Sequence, residues 1–204
     1  MALELRVEAT AEPITIDEVR QYLRLSTSDT SENALLNSWI KAMRQLAENI
    51  TQRQLMPATW ELILDAFPVS GIELPRGPLS TDSTDVVITY LDSSGSTQIL
   101  SATAYTVDYE TDPGIVTPSY GNVWPETQDF INAVRITYIS GYYTTSATAS
   151  DAVPDAIKTW IKMRIGTIYE NREAVAIDRN FLVQELPRSF VDGLLDPYIL
   201  IKVV

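Results

Sequence analysis

The sequence predicts an α+β fold: a helical core of long antiparallel helices, a β-rich insertion within it, and an extended C-terminal arm. Three observations lead there. Apolar residues recur at three- and four-residue steps from Leu35 to Ile50 and again from Ile157 to Tyr169. Between these stripes the chain turns to β-branched residues punctuated by proline, and its last seven residues, Tyr198 to Val204, include six apolar or aromatic side chains. On this reading residues 1–55 form the N-terminal helical part of the core, 56–140 the β-rich insertion and 141–204 a C-terminal helix and docking arm. Together they are expected to make one compact domain.

The first helix is announced by Thr15 and Glu18, whose spacing suits a capping box in which hydroxyl and carboxylate each meet an orphan N–H group. It is expected to run to about Leu25, with Val19, Tyr22 and Leu23 on one face. Asp29 and Glu32 repeat the start signal ahead of the stripe Leu35, Leu36, Trp39, Ile40, Met43, Leu46, Ala47 and Ile50, a helix of roughly six turns. Short strands are expected at 60–64, 72–74, 86–91, 97–100, 105–107 and 133–138, with Asp92 to Gly95 as a hairpin loop. A Ser/Thr/Ala-rich loop at 144–151 precedes the last long helix. Pro154 suits its first position, Asp155 its positive end, and Ile157, Trp160, Ile161, Ile165, Ile168 and Tyr169 its apolar stripe. A short helical piece is expected near Ser189 to Leu195.

Composition then limits the chemistry. Among 204 residues there is no Cys and no His, which excludes disulfides, thiolate nucleophiles, Ser-His-Asp triads and His-ligated metals. Fifteen Lys and Arg stand against 27 Asp and Glu, a formal net charge of −12, so phosphate binding through clustered cations is not indicated. Charges interrupt the apolar residues of Met1 to Glu8 before a signal-peptide core could form, and no apolar run is long enough for a membrane span.

What remains is carboxylate work. Asp108, Glu110 and Asp112 alternate and could face one side of a strand as ligands for a hard cation, or simply be a solvated strand-to-turn segment. Asp82, Asp85 and Asp92 read as turn residues. Glu61, Glu73 and Asp65 could supply a glycosidase pair, although spacing alone does not set the separation that chemistry needs. Trp39, Trp60 and Trp160 read as core, whereas Trp124, in a loop before Pro125, reads as a loop anchor or an interface residue. The C-terminal tail could pair with a sheet edge on another chain or complete this chain's own sheet. Arg172, flanked by carboxylates, could bind a partner or belong to a capped helix end.

Several motifs, taken in order, resemble those of one family. Residues 15–25 (Thr-Ile-Asp-Glu-Val-Arg-Gln-Tyr-Leu-Arg-Leu), the helix end at 47–55, Phe67-Pro68 followed by 72–79, and the strand at 86–92 carry the likeness through the first half. Trp124-Pro125, 134–142, 153–158 and 169–173 extend it through most of the rest. Together they resemble the head–tail connector, or adaptor, proteins of tailed phages. The resemblance implies a non-enzymatic virion protein without cofactors, assembled as a ring, commonly of twelve copies, beneath the portal. It would join the DNA-filled head to the next neck component, a stopper or tail terminator, and line a channel through which DNA passes without specific binding. It implies a place in the virion neck, reached from the host cytoplasm. Two other functions remain open: a carboxylate-dependent enzyme, or a stopper or tail-completion protein, against which the long helices at 31–53 and 154–171 speak.

Two surfaces are expected on this basis. Leu186, Pro187, Phe190, Leu194, Leu195, Tyr198, Ile199, Leu200, Ile201 and Val203 would dock the portal. Arg44, Arg53, Lys158, Lys162 and Arg172 would meet acidic neighbours in the ring.

Overall fold

The computed structural model describes residues 1–26, 28–142, 149–170 and 192–200. The chain divides into two compact units, one of residues 1–11 with 52–152 and one of residues 12–51 with 153–204.

The first unit holds the strands. A five-stranded antiparallel sheet runs in the order β1 (Ala2–Val7), β2 (Ala58–Leu64), β8 (Val134–Ser140), β4 (Val86–Leu91) and β5 (Thr97–Ile99). A second sheet of three antiparallel strands has the order β3 (Ile72–Leu74), β7 (Gly114–Pro118) and β6 (Tyr105–Asp108). A four-residue helix, α3 (Ala149–Ala152), ends the described part of this unit. The register explains the core. Leu62, Ile136 and Ile88 are directly paired across β2, β8 and β4, and so are Trp60, Tyr138 and Val86, so two apolar rows share one face. Ile72, Leu74 and Val116 of the smaller sheet belong to the same buried cluster, which also takes in Leu79 and Tyr105. Along β8, burial alternates with period two, as a strand with one face inward requires. Tyr105 and Tyr138 bury their rings and hydrogen-bond through their hydroxyls to the carbonyls of Val86 at 2.6 Å and Pro75 at 2.7 Å.

The second unit is helical: α1 (Ile16–Leu23), α2 (Asn33–Thr51) and α4 (Asp155–Glu170). The capping box at Thr15 forms as its spacing predicts, Thr15 N donating to Glu18 at 2.7 Å and Glu18 N to the Thr15 hydroxyl at 3.2 Å. Leu36, Ile40 and Ala47 of α2 and Ile157, Trp160, Ile161 and Ile165 of α4 are buried. Gly166 lets α4 approach Tyr22 of α1, whose ring lies 3.0 Å from where a Cβ would stand.

The expectation of a helical core of long antiparallel helices with a β-rich insertion is overturned. The strands are not an elaboration: they make two antiparallel sheets with a core of their own, while helices of 8, 19 and 16 residues occupy the other unit. The physical reason is that strands alternating inside and out can close on a second sheet and need no helix to cover them. The extended C-terminal arm is corrected as well. Its described residues fold into two 3-10 turns, Asp192–Leu194 and Asp196–Tyr198, with Leu195 fully buried. Two strands, β1 and β7, were not expected from the sequence: charges at Glu4 and Arg6 mask the first, and two prolines bracket the second.

Candidate interaction surfaces

The carboxylates sort into structural partners. Asp108 accepts from the Glu110 N–H at 2.9 Å and the Thr111 hydroxyl at 3.2 Å, while Asp112 pairs with Arg53. Glu61 lies between Arg6 and Arg135, the latter at 2.8 Å. Asp65 accepts from Asn132 N–H at 2.9 Å, Asp85 from the Ser80 hydroxyl, and Asp82 caps a 3-10 turn through Thr84 N–H at 2.9 Å. Glu73 is exposed on the outer face of the small sheet opposite Ile115. Asp92 organises its hairpin, and hydrogen bonds from Ser94, Gln98 and Ser96 hold its carboxyl down at about 2. Among the described residues no group of three or more Asp or Glu is arranged to hold a metal ion. No helix among them is long and apolar enough to cross a membrane.

The expected ring cations are also engaged within their own units. Arg44 is 1% exposed and donates to Glu12 at 2.7 Å and to Glu48 at 2.9 Å. Burial works against its charge, but the two carboxylates outweigh this and keep the guanidinium above its ordinary value. Arg53 pairs with Asp112, Lys158 with Asp155 at 3.6 Å, and Lys162 with Glu18 at 3.6 Å. Arg172 lies outside the described residues. Of the expected portal-docking set, Leu186, Pro187, Phe190, Ile201 and Val203 also lie outside them. Leu195 is part of its own unit's core, and Leu194, Tyr198, Ile199 and Leu200 are half-buried. This segment is tied down at both ends. Asp192 accepts from Trp160 Nε1 at 3.1 Å and Arg164 at 2.5 Å, and Leu200 N–H donates to the Thr51 carbonyl at 3.1 Å.

Trp160 is fully buried, and Trp39 and Trp60 are half-buried. Trp124 proves to be a loop anchor: its ring stacks on Phe67 with centroids 4.7 Å apart and planes 7° from parallel.

Sequence reasoning missed an apolar groove in the strand-bearing unit, with a volume of about 300 Å³, lined by Thr89, Leu91, Thr97, Phe130, Ile131 and Arg135. Phe130 is 58% and Ile131 67% exposed, and Ile99, on the same outer face of the sheet as Thr89, is 74% exposed. The only sequence signal is an isolated Phe-Ile pair between Asp129 and Asn132, outside any periodic run.

Charge is divided unevenly. The strand-bearing unit has 14 carboxylates against four arginines and no lysine, net −10; the helical unit has 13 against 11, net −2. All four arginines of the first unit are engaged, three by carboxylates and Arg76 over the Trp60 ring at 5.5 Å.

No protein-family model and no curated protein sequence matches the chain. Its fold is similar to chains of three solved structures. One is the neck of an empty gene transfer agent particle computed with C6 symmetry, at TM-score 0.78 and 19% identity. Another is the virion of a native gene transfer agent particle, at 0.74 and 19%. The third is the neck of the native particle computed with C12 symmetry, at 0.69 and 21%. Each likeness covers 100% of this chain and 98% of the other.

Proposed function

We propose that this chain is a structural protein of a virion neck. It acts as a head–tail connector or adaptor that assembles as a ring, joins the portal to the next neck or tail component, and surrounds the path of exiting DNA. The observation that carries the reading is the likeness in fold to chains of phage-like neck particles along the whole of both chains, a likeness that takes in both units. The ordered sequence motifs that resemble the adaptor family support it independently.

The electrostatics are coherent with a conduit. Twelve copies would gather twelve times −12, or −144, and a wall of carboxylates whose cations are already engaged repels a polyanion and leaves it free to slide. Repulsion fades over about 8 Å at physiological salt, so only carboxylates at the wall itself act on the DNA. Portal docking is assigned to the C-terminal segment, with Tyr198, Ile199 and Leu200 as its half-buried described part.

The test is to mix the purified chain with the portal ring of the same particle and to image and weigh the product. A ring of this chain seated on the portal is expected. A chain that neither closes into rings nor binds the portal overturns the reading, and unchanged portal binding after deletion of residues 198–204 overturns the docking assignment.

A further inference from the structure

The register of the large sheet puts the C-terminal ends of β2 and β4 and the N-terminal ends of β5 and β8 on one side. The chain enters and leaves this unit from the other side, where β1 ends, β2 begins and β8 ends. The loops at the first end, residues 65–71, 92–96 and 119–133, are fastened to one another. Phe67 stacks on Trp124 at 4.7 Å and meets Tyr90 edge-on at 5.8 Å. Asp65 accepts from Asn132 N–H at 2.9 Å, and Gln128 N–H donates to the Leu91 carbonyl at 3.1 Å. A turn closed by Asn122 N–H on the Ser119 carbonyl at 2.8 Å, with Gly121 at φ +81°, holds Tyr120 at its tip.

Seven large hydrophobic side chains among the described residues are at least 58% exposed, and five of them, Val69, Tyr120, Val123, Phe130 and Ile131, are on these loops. The groove at Phe130 and Ile131 belongs to the same surface. Single exposed hydrophobics are ordinary on a protein. Five gathered on loops already held in place mark a contact, and the prior ordering lowers its entropic cost.

Charge narrows what covers them. These loops contain four carboxylates and no Lys or Arg. Asp65 and Asp92 are satisfied within the loops, while Glu126 and Asp129 stand exposed beside the apolar residues. Such a surface repels DNA. A second copy set loop to loop would bring acid to acid, and the cations Arg44, Arg53, Lys158 and Lys162 of its other faces are engaged inside their own units. The complementary chemistry is that of a different protein, with an apolar patch rimmed by Lys or Arg. Portal docking is assigned to the C-terminal segment, which belongs to the other unit.

We propose that the loop surface around Tyr120, Val123 and Ile131 is the seat of the next neck or tail component, whose contacting face is apolar and edged with basic residues. The proposal rests on the neck reading above and names the surface for the second of its two partners.

The test uses the full-length chain bound to the portal ring and, as probe, the stopper or tail-terminator protein of the same particle. Tyr120→Asp, Val123→Asp and Ile131→Asp should each weaken probe binding by roughly tenfold or more in a sedimentation titration. Circular dichroism and portal binding should stay unchanged, because all three side chains are exposed. Glu126→Lys combined with Asp129→Lys should weaken it several-fold, and the difference from the wild type should close in molar salt, a dependence that a purely structural role would not show. Because the chain has no cysteine, Val123→Cys supplies a single thiol, whose reaction with a maleimide should slow several-fold when the probe is added. Variants that bind the probe like the wild type, or a Val123→Cys thiol that stays open, would overturn the proposal. So would a loss of portal binding or self-association in the same variants, which would give this surface to the portal or to a neighbouring copy. A wild type that binds the portal but not the probe ends this proposal alone; one that binds neither ends the neck reading with it.

Discussion

Arg44 donates to Glu12 at 2.7 Å across 32 residues of sequence, while its other guanidinium nitrogen meets Glu48 one turn further along α2. A residue whose place on a polar helix face suggests a surface cation is instead the centre of a buried ion cluster. Removing one member of such a cluster strands the others. Arg44→Met is therefore expected to cost about 3 kcal/mol in urea unfolding, because two carboxylates lose their common cation. A second change, Glu48→Leu, should recover part of it; a loss below about 1 kcal/mol for Arg44→Met would refute the assignment.

Gly141 and Gly121 both have positive φ, +137° and +81°, but their surroundings differ. A Cβ on Gly141 would stand 2.7 Å from the Met56 and Pro57 backbone, whereas nothing lies within 4 Å of one on Gly121. Gly121→Ala should cost about 1 kcal/mol of backbone strain, and Gly141→Ala about 3 kcal/mol through strain plus a clash that backbone cannot relieve. Thermal unfolding of the two variants would show the order, and equal costs would contradict it.

Asp92 has a folded pKa near 2, below the value of about 3.9 for an unfolded aspartate. A depressed pKa means stability present above about pH 4 and lost as pH falls through about 2. Asp92→Asn keeps the shape but not the charge. The stability gap between wild type and variant should be constant at neutral pH and shrink from about pH 4 to pH 2. A gap independent of pH would show that the hairpin does not depend on the carboxylate.

Trp160 is fully buried, and its indole N–H is satisfied by Asp192, which Arg164 also contacts. Trp160→Ala should cost about 4 kcal/mol, mostly as a cavity. Asp192→Ala should cost about 1.5 kcal/mol by orphaning the indole N–H, and should speed proteolysis in the residues that follow. Resistance equal to wild type would mean that this contact does not hold the C-terminal segment.

Much of the fold is legible locally. The Thr15–Glu18 cap, the start of α4 after Pro154 and six of the eight strands among the described residues follow from signals contained within a few residues. β7 is not legible because Pro113 and Pro118 bracket a run too short to show alternation, and β1 because it carries the charges of Glu4 and Arg6, Arg6 pairing with both Glu4 and Glu61. The groove at Phe130 and Ile131 was hidden for another reason. It is made by loop residues brought beside β4 and β5, and no spacing in the sequence announces that meeting.

By itself the sequence determined the helices α1, α2 and α4 and six of the described strands, which chemistry is absent, and how acidic the chain is, since these depend on neighbours along the chain and on composition. Only the tertiary structure decided that the strands have a core of their own. It also decided that Arg44 is internal, and that acid collects in one unit. Those outcomes depend on residues tens of positions apart meeting or failing to meet. The pairing energies that settle them arise only when both partners lose water together.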